Sequence, residues 1–234
     1  MYRKVGSILI FTFWEGEMPA YIDLCLSTWQ FDFIELNYDN LDVYTDLDIS
    51  KLQRFTLPQI ADIVRVHVLR DNGGYWLDAD TIMLKDELPS ETIMGYPDSR
   101  TNTIGFLHTE KNSDMFKDWA DFQDSVIADE TLTNTWDMVG NAFTDGYLKK
   151  HKEIPIGDIS NCWAETYMIN EFQSRYDKYR HLYFNTNYEL SDFKDTNMLM
   201  LHNSWTPNWY KKLNTLEVLN TDCTLSNILK EALK

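Results

Sequence analysis

The sequence has few positive charges, few cysteines and no long hydrophobic run. Its 234 residues include 21 Lys and Arg but 37 Asp and Glu, which gives a net charge of −16. That balance argues against nucleic acid or an anionic lipid surface as the main partner. The three cysteines have no metal-binding spacing and form no even disulfide set, so they indicate a reducing cytosol. No run approaches the roughly 20 apolar residues that a membrane-spanning helix needs.

The order of predicted strands and helices indicates one α/β domain over residues 1–234. The length suits a single domain, and a hydrophobic content of 44% allows a sizeable core. Strand patterns alternate with helix patterns, which predicts a mostly parallel central sheet flanked by helices. Ligands of such sheets bind beyond the C-terminal ends of the strands. The predicted strands are Ser7–Phe13, Phe31–Asn37, Tyr75–Leu77, Thr81–Leu84, Thr92–Tyr96, Thr103–His108 and Asn197–His202.

Two carboxylates stand one residue apart after the short apolar strand Tyr75–Leu77. Residues i and i+2 of a strand point the same way, so Asp78 and Asp80 are expected to converge on one point. Carboxylates that close repel each other unless a cation lies between them, and hard oxygen ligands suit Mg²⁺ or Mn²⁺. The alternative is an Asp-rich turn in which one carboxylate caps the next element.

The helix before this strand carries a second pair of charged residues. A capping sequence at Thr56 and a glycine at Gly73 predict a helix over Leu57–Asn72. Asp62 and Arg65 fall on one face of it. They are either a simple helix ion pair or part of a site with the adjacent Asp-x-Asp strand.

Taken together, these segments resemble the DXD-containing sugar transferases. Ala61–Arg65 followed by Gly73–Asp80 is similar to the core of bacterial capsular polysaccharide synthesis proteins, Och-type yeast mannosyltransferases and the glucosyltransferase domains of clostridial toxins. The run Ile8–Gly16 resembles the first strand of that family. Met198–Trp205 resembles its closing strand with a His-x-Ser-Trp tail. The resemblance extends over residues 5–205 and is strongest over 57–84.

The resemblance implies a GT-A type fold that binds a nucleotide-diphosphate sugar, with a UDP-linked hexose as the expected donor. Trp14 would stack on the nucleobase, and Asp62 and Arg65 would hold the sugar's hydroxyl groups. Asp80 would bind Mn²⁺ or Mg²⁺ directly, and Asp78 would bind the metal or the ribose. Arg65 and the metal would together supply the positive charge that the phosphates need.

The closing segment would complete the site. By resemblance His202 is a third metal ligand, although Asn203 or Ser204 could take that role. Ser204 and Trp205 would contact the donor, with the indole N–H of Trp205 on the phosphates. His202 has a simpler interpretation as a structural residue, and Trp205 has one as a residue that caps the core. Gly140 either lets substrate approach the backbone closely or only begins a helix.

The expected reaction retains the configuration of the sugar, because no carboxylate is left to act as a dedicated base and the resembled enzymes are retaining. The acceptor would be a polysaccharide repeat, a lipid-linked sugar or a glycoprotein. The expected location is the cytoplasm, with an optional peripheral contact at the inner membrane face. Thr224–Lys234 is the candidate for that contact, and a packed terminal helix is the preferred interpretation.

Two other functions fit parts of the sequence. Leu77–Thr81 also resembles the first motif of haloacid-dehalogenase phosphatases, with Asp78 as nucleophile. That motif normally has Thr or Val at the position of Ile82 and lies on the first strand of its fold, whereas here it follows the third. A non-catalytic protein that binds carbohydrate or a nucleotide sugar is the other alternative.

Overall fold

A computed structural model describes residues 8–96, 98–99, 101–193 and 196–234. Ser7, where the first strand was predicted to begin, lies outside these residues. The chain forms two compact units. The first contains the residues up to Glu15, Phe33–Asp78 and Pro89–Asp158, and the second contains Gly16–Asp32, Ala79–Leu88 and Ile159–Lys234. The expectation of a single domain stays a prediction.

The first unit contains a six-stranded sheet in the order β2-β1-β3-β6-β5-β7. Five strands run in one direction, and β6 runs antiparallel to its neighbours β3 and β5. The predicted mostly parallel α/β fold is therefore confirmed, with helices α2 and α4 against the sheet and α3 packed on both of these helices. The elements are β1 (Ile10–Phe13), β2 (Ile34–Leu36), α2 (Leu57–Asn72), β3 (Gly74–Leu77), β5 (Ile93–Gly95), β6 (Asn102–Thr109), α3 (Asp114–Ala128), α4 (Asn141–Lys150) and β7 (Ile156–Asp158).

Helix α2 begins and ends where the sequence predicted. The side chains of Thr56 and Gln59 form a capping box, and Pro58 occupies the first turn. Its buried stripe covers Ile60, Ile63, Val64, His67 and Val68, and the whole stripe packs into the core of the first unit. This packing therefore fixes the positions of Asp62 and Arg65 beside the sheet.

Two glycines turn the chain from α2 into β3. Gly73 has a φ of 70° and Gly74 a φ of 94°, which is the left-handed region that favours glycine. A Cβ on Gly73 would lie 2.5 Å from the backbone nitrogen of Lys111, and one on Gly74 would collide with the carbonyl oxygen of Leu9. Glycine is therefore needed at both positions so that β3 can pair with β1.

The second unit is built around a two-stranded antiparallel sheet. Strand β4 (Thr81–Met83) pairs with β8 (Met198–Met200). The predicted closing strand thus exists, but it does not join the parallel sheet as the sequence pattern had indicated. Strand β4 begins directly after Asp80, and β8 pairs with β4 instead of with a strand of the main sheet. The helices of this unit are α1 (Ala20–Ser27), α5 (Glu165–Met168), α6 (Arg175–Phe184), α7 (Asn208–Lys211), α8 (Thr215–Asn220) and α9 (Thr224–Ala232).

The terminal helix α9 buries one face, formed by Leu225, Ile228 and Leu229 among others. This agrees with the preferred interpretation of the segment as a packed helix. None of the helices within the described residues is both long and apolar enough to cross a membrane.

Candidate active site

Arg65 lies at the centre of a buried polar network in the first unit. Its Nη2 lies 2.9 Å from Oδ1 of Asp62 and 3.2 Å from Oδ1 of Asp78. Its Nη1 donates to the carbonyl oxygen of Ile104, and its Nε donates to that of Ala61 at 3.2 Å. The side chain is only 5% exposed. The guanidinium therefore joins the helix carboxylate to the first carboxylate of the Asp-x-Asp pair, which the sequence had left as one of two alternatives.

Trp76 also holds Asp78. The indole Nε1–H of Trp76 donates to Oδ1 of Asp78 at 2.8 Å, and the guanidinium of Arg65 lies 5.1 Å from the centre of the Trp76 ring. Both bonds fall on Oδ1 of Asp78, whose side chain is 35% exposed. The carboxylate is thus fixed in orientation at the end of β3 and remains accessible.

Asp62 is the most perturbed acid of the first unit's network. Burial raises its pKa to about 7, an effect that Arg65 opposes and the neighbouring carboxylate of Asp78 reinforces. Gly140 lies beside it, because a Cβ there would come within 3.0 Å of Oδ2 of Asp62 and 2.7 Å of Ile104. Asp62 and Ile104 therefore pack directly against Gly140, which also caps the start of α4, and its role in substrate approach stays a prediction.

Trp14 directly follows β1. Its backbone N–H donates to the carbonyl oxygen of Leu36 on β2 at 3.0 Å. Its indole Nε1 is buried and has no hydrogen-bond partner among the described residues. β1 and β3 are parallel neighbours, so Trp14 and Asp78 follow the same edge of the sheet, where the sequence predicted a ligand.

Asp80 belongs to the second unit and anchors the closing segment. Its Oδ2 accepts a hydrogen bond from the backbone N–H of Asn203 at 2.7 Å. The backbone carbonyl oxygen of Asp80 accepts a second one from the backbone N–H of Leu201 at 3.0 Å. The side chain of Asn203 in turn accepts from the hydroxyl of Tyr21 at 2.6 Å. Burial, with Asp80 as a further cause, raises the pKa of Tyr21, which therefore keeps its proton and donates it.

His202 contacts a second arginine. Its Nε2 lies 2.6 Å from Nη2 of Arg175 and 3.7 Å from Oε1 of Glu165. A guanidinium has only donors, so Nε2 must accept and the ring of a neutral His202 carries its proton on Nδ1. Neither ring nitrogen then offers a lone pair to a metal ion. Metal binding by His202 requires Arg175 to move away, and it stays a prediction.

Aromatic rings surround that arginine. The guanidinium carbon of Arg175 lies 3.4 Å from the ring centre of Trp163 and 4.7 Å from that of Trp205. The ring of Trp205 also contacts that of His202, with centres 4.2 Å apart. Ser204, between His202 and Trp205 in the chain, is exposed. The predicted donor-binding tail therefore forms a tight cluster with α6.

The carboxylates fit a hard divalent cation better than the histidine does. Asp78 keeps an accessible carboxylate, and Asp80 is an anionic oxygen donor two residues later in the chain. Across the described ranges, no three His, Cys, Asp or Glu side chains are grouped closely enough to hold a metal ion. The three-ligand set of Asp78, Asp80 and His202 stays a prediction.

Sequence reasoning missed three residues of these clusters. The sequence pattern around Trp76 did not predict its bond to Asp78. Glu165 and Arg175 lie outside the best-matched stretch 57–84, and a single glutamate and a single arginine carry no spacing signal.

Comparison with known families identifies the class of protein to which the chain belongs. The profile of a family described as "Capsular polysaccharide synthesis protein" matches residues 2–188. The chain belongs to that family. This family is among the sugar transferases that the sequence resembles, so the predicted enzyme class, a glycosyltransferase, is confirmed. The match ends before His202–Trp205, whose roles rest on the resemblance alone.

Two further comparisons add no evidence about the function. A solved structure titled "PaToxG Glycosyltransferase" is similar with a TM-score of 0.43 and 15% identity, over 63% of this chain and 69% of that chain. No curated protein matches this member of the capsular polysaccharide synthesis protein family. The phosphatase alternative rested on residues 77–81 alone, and a family match over residues 2–188 outweighs it.

Proposed function

We propose that this chain is a metal-dependent, retaining glycosyltransferase of the GT-A type. It would transfer a hexose from a UDP-linked donor to a polysaccharide repeat, a lipid-linked sugar or a glycoprotein. The observation that carries the proposal is the Asp62–Arg65–Asp78 network at the end of β3. In a member of a capsular polysaccharide synthesis family, a network that rigidly orients the first acid of the Asp-x-Asp pair supports donor binding at this edge.

Within this proposal Arg65 positions other groups and does not itself contact the sugar. At 5% exposure and with partners on all three nitrogens, it has little surface to offer a ligand. Asp62 is the sugar-binding group. Its side chain is 17% exposed and its carboxyl has a pKa of about 7, so it can accept from a sugar hydroxyl when ionised and donate when protonated.

The metal would be held by Asp78 and Asp80. A bound divalent cation offsets the charge on the departing nucleotide diphosphate. The protein's part is to orient both carboxylates. Arg65 and Trp76 do this for Asp78, and the backbone of Asn203 does it for Asp80.

A retaining course is supported by the state of the remaining acids. Glu165 is fully buried against Arg175, and Oδ1 of Asp145 accepts a hydrogen bond from Asn102 at 3.0 Å. A buried carboxylate has no access to an acceptor hydroxyl. A retaining reaction needs no dedicated base, because the leaving phosphate oxygen can take the acceptor proton on the same face.

A panel of nucleotide sugars tests the proposal. The protein is incubated with each donor and Mn²⁺, and free nucleotide is measured with and without carbohydrate acceptors. We expect release from one UDP-hexose above all others, slow without acceptor and faster with it. A non-catalytic sugar-nucleotide-binding protein would bind the donor and release nothing, and that result would overturn the proposal.

A further inference from the structure

The phosphates of the proposed donor need a cation that Arg65 does not supply. The chain has a net charge of −16, so a diphosphate meets an unfavourable field unless basic groups face it. Arg65 had been expected to provide that charge. It is instead buried and neutralised by Asp62 and Asp78. The divalent cation would then be the main positive charge at the diphosphate, and a basic side chain beside His202–Trp205, the segment predicted to contact the donor, would complement it.

Arg175 has the required position within the second unit. Its guanidinium lies between the rings of Trp163 and Trp205 and contacts the ring nitrogen of His202. The same turn, His202–Trp205, is held to Asp80 through the backbone of Asn203. Arg175 is 30% exposed, six times the exposed fraction of Arg65, so a ligand can reach it. It is also the first residue of the ten-residue helix α6, whose N-terminal end favours an anion.

Glu165 lies behind this arginine. It is fully buried, its Oε1 lies 3.6 Å from Nε of Arg175 and 3.7 Å from Nε2 of His202, and neither oxygen has a hydrogen-bond partner among the described residues. A buried carboxylate with no hydrogen bond is costly, so this arrangement is not explained by stability. The carboxylate of Glu165 does, however, fix the position of the Arg175 guanidinium.

We infer that Arg175 binds a phosphate of the donor's nucleotide diphosphate and that Glu165 is its positioning residue. The inference rests on the proposed function. A planar guanidinium can donate two parallel hydrogen bonds to phosphate oxygens, and the two indoles hold its plane fixed. The cation–π contacts compensate for part of its lost hydration. The cluster of Trp163, Glu165, Arg175, His202 and Trp205 is thus a prepared site for a diphosphate.

Binding of nucleotides without turnover tests this inference. Calorimetry would compare UDP with uridine, and GDP and ADP with their nucleosides, each with and without Mn²⁺. The variants are Arg175→Gln, Arg175→Lys and the control Lys178→Gln, which removes the same charge three residues later in the same helix. Thermal unfolding of each variant shows whether it is folded.

We expect Arg175→Gln to weaken binding of the preferred nucleoside diphosphate by about tenfold, the effect of one charge-assisted hydrogen bond. Nucleoside binding should not change. Arg175→Lys should be intermediate because it keeps the charge and loses the fork, and Lys178→Gln should match the wild type.

Three results would contradict these expectations in different ways. If the wild type binds a nucleoside diphosphate and Arg175→Gln binds it as tightly as Lys178→Gln does, the phosphate role of Arg175 is wrong and the proposed function stands. Equal weakening of diphosphate and nucleoside would also overturn the role, because Arg175 would then act on the fold. If the wild type binds no nucleoside diphosphate, the proposed function itself fails.

Discussion

The indole of Trp76 donates a hydrogen bond to Oδ1 of Asp78 at 2.8 Å, the same oxygen that contacts Arg65. Trp76 is 1% exposed and lies on β3, two residues before the carboxylate. Since i and i+2 side chains of a strand point the same way, the strand itself places donor and acceptor side by side. The orientation of the first Asp-x-Asp carboxylate is therefore determined from within the core.

Trp76→Phe removes that donor and leaves a buried ring. We expect turnover to fall by about tenfold, because Asp78 loses the indole hydrogen bond and keeps the ion pair with Arg65. Stability should fall by about 1–3 kcal/mol. The matched control is Trp119→Phe, which also loses a buried indole hydrogen bond, to the carbonyl of Val139 at 3.1 Å. Equal turnover in the two variants, measured as nucleotide release, would show that the Trp76 bond has no catalytic role.

Arg65→Lys should reduce both stability and activity. The resemblance, which assigns Arg65 to the sugar, predicts damage to catalysis far greater than to thermal stability. The buried position of Arg65 adds an expected loss of stability, because a lysine cannot reach two carboxylates and two carbonyls at once, and buried groups are left unpaired. We expect a loss of about 3–5 kcal/mol in the free energy of unfolding, measured with urea. A loss below about 1 kcal/mol would mean that Arg65 is no more than a surface ion pair.

Asp62 should make stability depend on pH. Its pKa is about 7 in the folded chain and 3.8 in the reference state. Because the folded value is the higher one, the stabilisation from its bound proton is complete below about pH 4. It is lost between about pH 4 and pH 7, at about 1.4 kcal/mol per pH unit. Asp62→Asn lacks this titration.

The measurement is urea unfolding of the wild type and Asp62→Asn at several pH values. The stability of the wild type relative to the variant should decline up to about pH 7 and stay constant above it. Asp121→Asn, on the exposed side of α3, controls for removal of a carboxylate. A relative stability that does not vary between pH 4 and pH 8 would contradict the burial of an ionisable Asp62.

Asp80→Asn should abolish metal-dependent turnover and leave the fold intact. The asparagine oxygen can still accept from the backbone of Asn203, but a neutral oxygen is a poor replacement for an anionic ligand. We expect nucleotide release to fall by more than about a hundredfold at saturating Mn²⁺. Asp86→Asn, an exposed acid in the same unit, should behave as the wild type. Near-normal turnover in Asp80→Asn would exclude this residue as a ligand.

The stereochemical course is a separate prediction. A donor with an α-linked sugar should give an α-linked product, because Glu165 is fully buried and one oxygen of the half-buried Asp145 accepts a hydrogen bond from Asn102. Proton NMR of the first-formed product reads the anomer directly. A β anomer would mean that a carboxylate such as Asp145 or Glu165 serves as base and would reverse the assignment of roles.

The sequence predicted best where local chemistry decides the structure. Helix α2 was predicted over Leu57–Asn72 and observed there, because a capping box and a left-handed glycine mark both ends. Helix α6 was not predicted, because it consists mostly of charged residues and tyrosines and has no repeating apolar stripe. The three-residue strand β7 gives too short a pattern to detect.

Longer-range features of the site could not be predicted from the chain. Nothing in residues 198–202 indicates that β8 pairs with β4 and not with the main sheet. An Asp and an Arg three residues apart also look the same whether the pair is exposed or buried. That Arg65 is 5% exposed depends on Ile104 and Trp76, which are distant in sequence and close only after folding.

Gly73 and Gly74 are required by the fold and take no part in the proposed reaction. Any side chain there would collide with Lys111 or Leu9, so the pair must persist in every descendant that keeps this strand, whether or not it still works as an enzyme. A gene that has exchanged Asp78 or Asp80 for a neutral residue would still carry both glycines and would still fold. Under the proposed function, genome surveys that weight the glycines would count inactive copies among the transferases, and Asp78 and Asp80 are the positions that would separate them.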